Sequence, residues 1–197
     1  MLKIPFMLRM LFLLMFQMLL ILRRTHYFSS KDKKNSLNVL FSNVDTLSNI
    51  CSELEATLSI ENAHVIGLCE IYTKNCFDKS VASKLDLYDY EKYLPDKLGD
   101  RGVVLYIHKS LTAFKVDILS DSDFSESVWC EISLRGTDKL LVGCIYRSPS
   151  SSKDNNKKLN DLVSKTRFYL KYSHYLIMGD FNYPEIDWLK NEVMGNR

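Results

Sequence analysis

The stretch Met178-Gly179-Asp180-Phe181-Asn182 directly follows an apolar run, Tyr175-Leu176-Ile177. Side chains alternate along a strand, so an aspartate and an asparagine two residues apart are predicted on one face of a strand end. One oxygen acceptor and one amide donor would then converge on a single centre. Such a pair suits orienting a water and holding a phosphate oxygen beside a divalent metal. The plain alternative is a turn that closes a core strand, and the rest of the chain has to decide between them.

Two earlier strands end in the same kind of residue. Leu37-Asn38-Val39-Leu40-Phe41-Ser42 predicts a strand ending at Asn43, and His64-Val65-Ile66-Gly67-Leu68-Cys69 a buried strand ending at Glu70. A charged or amide group at the tip of a buried strand is costly unless it faces a rim or a site. Three such tips, Asn43, Glu70 and Asp180, favour a shared site.

Between them the pattern is that of a layered α/β domain. Residues 46–60 carry Leu47, Ile50, Leu54 and Leu58 at helical spacing. Strands are predicted over 88–94, 103–107, 114–118, 128–134 and 140–146, the last two flanking a hairpin turn at Arg135-Gly136-Thr137-Asp138. Residues 155–172 read as a helix with Leu159, Leu162, Val163, Tyr169 and Leu170 on one face, and a strand over 175–178 follows. Many strands with helices early and late predict a mostly antiparallel core.

Length and charge set the frame. The 197 residues are 46% hydrophobic and 25% charged, enough for one domain with a real core. A net charge of +2 gives no bulk electrostatic reason to bind nucleic acid. Cys51, Cys69, Cys76, Cys130 and Cys144 are odd in number and widely spaced. They read as small buried hydrophobes of a reducing, intracellular compartment, and no Cys/His cluster has zinc-ligand spacing.

Residues 1–22 differ from the rest. Over 4–22 only Pro5, Arg9 and Gln17 interrupt the apolar run, and as a helix it would span roughly 28 Å, near the thickness of a bilayer core. Arg23, Arg24, Lys31, Lys33 and Lys34 follow it, which would favour a cytosolic body if the segment inserts. No small-x-small cleavage site follows. The alternative is a leader without a role. Residues 23–36 read as a polar linker, and 37–197 as the domain.

Taken in order, Ser42-Asn43, Cys69-Glu70, Gly143-Cys144-Ile145-Tyr146-Arg147-Ser148-Pro149 and Gly179-Asp180-Phe181-Asn182 resemble the endonuclease/exonuclease/phosphatase family. More narrowly, they resemble the apurinic-endonuclease-like domain of LINE-type (non-LTR) retrotransposons. The Tyr-Arg-Ser-Pro and Gly-Asp-Phe-Asn pair is the specific part, with the Arg101-Gly102-Val103-Val104-Leu105-Tyr106-Ile107 run in support. The resemblance covers residues 37–188. It implies a DNase I-like fold, a four-layered α/β sandwich of two mostly antiparallel sheets. It also implies Mg²⁺-dependent cleavage of phosphodiesters, with Mn²⁺ as a substitute, on DNA, and a reverse transcriptase domain on the same chain of the full element.

The roles carry over residue by residue. Glu70 matches the metal-binding glutamate, and a lone carboxylate completed by waters and substrate phosphate suits Mg²⁺. Asn43 matches the asparagine that helps place metal and phosphate, Tyr146 the tyrosine that touches the scissile phosphate. Asp180 matches the aspartate that orients or deprotonates the attacking water, and Asn182 the asparagine that binds a phosphate oxygen. Arg147 would either give charge to the phosphate or tie down its loop.

Two departures qualify the resemblance. The retrotransposon pattern after Asn43 runs small-Arg-Ser-Leu, whereas this chain has Val44-Asp45-Thr46-Leu47. An acid replaces a basic contact. The family also continues to a Ser-Asp-His motif, but His26, His64, His108 and His174 all precede Gly179. The expectation is therefore a C-terminally incomplete domain with impaired catalysis, since losing a stabiliser of developing charge costs about two to three orders of magnitude. The competing readings are a non-catalytic retrotransposon remnant or partial gene model, and a phosphatase or lipid phosphodiesterase of the same fold.

Overall fold

A computed structural model describes residues 37–45, 62–72, 86–97, 101–116, 124–166, 172–183, 185–187 and 192–193. The leader at 1–22, the linker at 23–36 and the predicted helix at 46–60 lie outside the described residues.

The β-branched and aromatic runs pair into two four-stranded sheets. The first joins β1 (Val39–Asn43), β2 (Val65–Cys69), β3 (Tyr90–Tyr93) and β4 (Val103–His108) in the order β1-β2-β4-β3. The second joins β5 (Ala113–Lys115), β6 (Ser127–Ser133), β7 (Lys139–Tyr146) and β8 (His174–Asp180) in the order β5-β6-β7-β8. Each sheet holds one parallel pairing, β1 with β2 or β7 with β8, and its other pairings are antiparallel. The two sheets thus repeat one pattern, and the mixed, mostly antiparallel DNase I-like sandwich expected from the sequence is what forms.

Alternation along the strands explains how the sheets stack. Val65, Val103, Leu105, Ile107, Val128, Cys130, Ile132, Val142, Cys144, Leu176 and Met178 all turn between the sheets and are essentially sealed from water. The opposite phase of the second sheet, with Leu141, Ile145 and Ile177, packs against Leu159 and Leu162 of the helix α1 (Lys153–Thr166). On the far side of the first sheet, Leu40, Ile66, Leu68, Val104 and Tyr106 form a third buried layer. Burying a side chain of this size contributes about 1.5–3 kcal/mol, so these layers dominate the stability.

Some boundaries differ from the sequence reading for local reasons. The helix begins at Lys153 rather than 155, because the Ser152 hydroxyl oxygen accepts from the Asn155 backbone N–H at 3.1 Å and caps the first turn. Tyr172 lies beyond the helix and is buried against the second sheet. The fifth strand starts one residue earlier, at Ala113, the residue of that strand that turns into the core. A two-residue hairpin, β9 (Ile186–Asp187) with β10 (Glu192–Val193), was not expected. The turn at 135–138 forms as read, closed by Leu134 N–H to Asp138 O at 2.9 Å, with Gly136 at φ 68°.

Candidate active site

The parallel pairs fix where the site lies. Strands running in parallel share a carboxyl end, and the registers set Asn43 beside Cys69, and Tyr146 beside Asp180. Because β1 and β2 face β8 and β7 across the sandwich, four strand tips meet at one end. Asn43, Glu70, Tyr146 and Asp180 come from those four tips.

The Asn43 amide ties the two sheets together there. Its Nδ2 donates to Glu70 Oε1 at 2.7 Å and to Asp180 Oδ2 at 2.8 Å. One amide thereby holds two carboxylates that sequence separates by more than a hundred residues. The other oxygen of Glu70 accepts from Arg101 Nη2, which also donates to Asp45 Oδ1 at 2.5 Å. Arg101 is buried, and its backbone N–H donates to Glu126 Oε1 at 3.1 Å.

Asp180 is 2% exposed. Burial pushes its carboxyl above the ordinary value, and the bonds from Asn43 and the Asn182 backbone only partly offset that rise. Gly179, the preceding residue, is required sterically. A Cβ there would fall 2.0 Å from the Ile145 carbonyl oxygen across the parallel pairing. Tyr146 is buried too, and burial, then the nearby Glu70 and Glu126 carboxylates, raise its hydroxyl well above the usual phenol range. It therefore stays a protonated donor at physiological pH.

The backbone is strained at this end. Glu70 and Asn182 adopt left-handed φ values of 58° and 46°, as does Asp45 at 38°. For L-residues this costs about 1–3 kcal/mol each and tends to gather at functional sites. Strand β8 ends at Asp180, so a left-handed turn rather than strand alternation sets Asn182 beside it. The Asn182 backbone N–H turns back to Asp180 Oδ1 at 3.2 Å, its side chain also bonds Asp180, and its Nδ2 donates to the Arg147 carbonyl at 2.7 Å.

Arg147 fastens that turn. Its Nη1 donates to the Asn182 carbonyl at 2.5 Å and to the Phe181 carbonyl at 3.4 Å, and its Nε donates to Asn156 Oδ1 at 2.8 Å. The guanidinium stacks 4.0 Å from the Tyr183 ring centroid. Of the two roles read from sequence, loop-tying is the one these contacts describe.

Arg101 and Glu126 had no role in the sequence reading. Both precede antiparallel strands, β4 and β6, whose amino ends lie at the same rim. Glu70 N–H donates to Gly102 O at 3.0 Å, and Tyr146 N–H to Glu126 O at 2.9 Å. The available signal was Asp45, an acid at a position where the resembling pattern is basic.

The donor set suits a hard divalent cation in its chemistry. Glu70, Asp180 and the Asn43 amide offer only oxygen acceptors to a cation, and Glu70 Oε2 already holds a positive group, Arg101. Among the described residues no cluster of three or more His, Cys, Asp or Glu side chains is arranged to hold a metal. A cation here would therefore lean on one or two carboxylates, with water and substrate completing its shell.

Comparison with solved structures agrees on the architecture. An AP endonuclease, LMAP from Leishmania major, superposes with a TM-score of 0.57 at 18% identity, covering 76% of this chain and 56% of that one. The endonuclease domain of TRAS1, a telomere-specific non-LTR retrotransposon, gives 0.52 at 13% identity, covering 73% and 58%. The 3′ phosphatase NExo from Neisseria, solved bound to a product DNA hairpin, gives 0.53 at 16% identity, covering 76% and 59%. This chain thus spans less than two thirds of the length of each. No curated protein is detectably similar in sequence. The sequence pattern of the endonuclease/exonuclease/phosphatase family matches residues 36–196. Its strand-tip polar residues, mixed sheets and matched sequence agree, and the chain belongs to the endonuclease/exonuclease/phosphatase family.

Proposed function

We propose that the chain is a divalent-metal-dependent phosphodiesterase acting on DNA, with the ancestry of a non-LTR retrotransposon endonuclease that nicks one strand for a reverse transcriptase. The observation that carries this reading is the Asn43 amide bridging Glu70 and Asp180 across the two sheets at 2.7 and 2.8 Å. The DNA-bound NExo and the TRAS1 endonuclease domain, both of this fold, support the choice of substrate.

Asp180 takes the proton of the attacking water. Its raised affinity for protons brings it closer to neutrality than an ordinary aspartate, which is what a general base needs. Asn43 keeps Asp180 and Glu70 in a fixed relation, so the water and the phosphate meet in line. The Tyr146 hydroxyl donates to a phosphate oxygen. Asn182 has one amide hydrogen committed to the Arg147 carbonyl, and its second reaches for the phosphate. Arg147 acts through Asn182 by holding its loop. Mg²⁺ or Mn²⁺, held by Glu70 with Asn43, would neutralise the phosphate and stabilise charge on the leaving oxygen.

The test is relaxation of supercoiled plasmid by excess protein over long incubations with Mg²⁺. Single-strand nicking is expected, lost with chelator and lowered about a thousandfold or more in Asp180→Ala. Nicking that survives Asp180→Ala in a folded protein would remove Asp180 from the chemistry.

A further inference from the structure

The Arg101 guanidinium sits where a metal-binding carboxylate would be expected to stay open. Its Nη2 bridges Glu70 Oε2 and Asp45 Oδ1. Both Glu70 oxygens are then engaged, one by the Asn43 amide and one by a positive charge. Asp45 is shaped for this task. Its left-handed backbone lets it offer a carboxylate to Arg101 while its N–H donates to Asn43 Oδ1 at 3.2 Å.

The arrangement is also incomplete. Arg101 is 7% exposed, yet its Nε is buried with no hydrogen-bond acceptor. A buried guanidinium with an unspent donor is a partly satisfied network, and losing a partner outright would leave a costly buried charge. Asp45, exposed on its outer side, gives the guanidinium a place to stay when Glu70 lets go.

We propose that Arg101 and a divalent cation compete for the same oxygen, Oε2 of Glu70, and that Asp45 retains Arg101 when the cation wins. Arg101 is thus a built-in brake on metal affinity. The inference rests on the reading of Glu70 as a metal ligand, and the experiment separates the two. Mn²⁺ binding to the full chain is followed by the loss of the free-ion electron paramagnetic resonance signal, with no substrate present. Arg101→Gln removes the competing charge and tightens Mn²⁺ at least tenfold. Arg101→Lys keeps the charge and stays within about threefold of the parent.

Unchanged or weaker binding in Arg101→Gln, beside normal binding in the parent, overturns the competition. Glu70→Gln tests the underlying reading, because it should lose the site in either background. If Glu70→Gln binds as the parent does, the metal assignment of Glu70 has failed instead. Should Arg101→Gln not fold, the parent protein still decides. Hydrogen exchange at the Arg101 guanidinium, read by ¹⁵N NMR, speeds up several-fold as Mg²⁺ saturates. Exchange that does not respond to Mg²⁺ overturns the proposal.

Discussion

Each sheet brings one buried arginine to the common rim, and the two are used in opposite ways. Arg101, at the head of the first sheet, spends its guanidinium on the side-chain carboxylates of Glu70 and Asp45. Arg147, just past β7 in the second, spends its own on backbone carbonyls at Phe181 and Asn182 and on the Asn156 amide oxygen. One supplies charge, the other shape. The carboxylates beside them differ accordingly. Glu70 has a cation in contact, whereas Asp180 is buried, accepts from amides and feels the Glu70 charge. Environments that differ in this way divide labour between paired carboxylates. Glu70 is tied to a guanidinium, and burial sets Asp180 up to take a proton.

Replacing Arg147 puts the largest strain on this contrast. Arg147→Lys keeps the charge but loses the planar fork and the stack on Tyr183. If its role is shape, the Asn182 turn loosens and nicking falls about a hundredfold, since misplacement by about 1 Å costs that much. The same change at Arg101 should be mild in the binding assay above. Equal effects of Lys at both positions would erase the distinction. Plasmid nicking by both variants, with thermal melting as a control, makes the comparison.

A smaller effect is expected from Gly179→Ala. The added methyl meets the Ile145 carbonyl at 2.0 Å, so β8 must slide against β7. Overpacking of this kind costs about 1–3 kcal/mol, read as a lower urea midpoint. The shift displaces Asp180 while leaving Glu70 and Arg101 in place. Nicking should therefore drop with Mn²⁺ binding at Glu70 retained. Loss of both together would mean that the two sheets do not act as separate supports.

The pH dependence should give the smallest shift. With Asp180 as the base, it must work ionised, so activity is expected to be lost as pH falls through its raised pKa. The acid limb of the rate profile then lies above the ordinary aspartate value of 3.8. With Tyr146 as the proposed donor, its raised value keeps it protonated and leaves the alkaline side free of a tyrosine limb below the usual phenol range. An acid limb at or below 3.8 would assign the base elsewhere.

Much of this was legible in sequence, and the failures share a cause. Asn43, Glu70 and Asp180 were found because each ends a local apolar run, and a polar residue at such a tip is conspicuous without knowing its neighbours. Their convergence then needed only the topology. Asn182 was read beside Asp180 by strand alternation, but the strand has ended there and a left-handed turn is what brings it back. Arg101 was overlooked because its value depends on β4 lying antiparallel to β2, a pairing between distant segments. Asp45 was noticed as an oddity, but its partner is 56 residues away. The β9–β10 hairpin has two residues per strand, too few for any period to show.

The bond from Asn43 to Asp180 joins residues 137 apart in sequence. Closing a loop of that length costs entropy before any contact rewards it, and contacts so distant form late in folding. Until β1 has docked against β8, the chain holds two separate carboxylates with no amide joining them. The joined site is therefore acquired only when the two sheets dock, and partial unfolding at the β1 or β8 edge would undo it before the core is lost. The candidate site doubles as a latch that reports whether the two halves of the sandwich are shut.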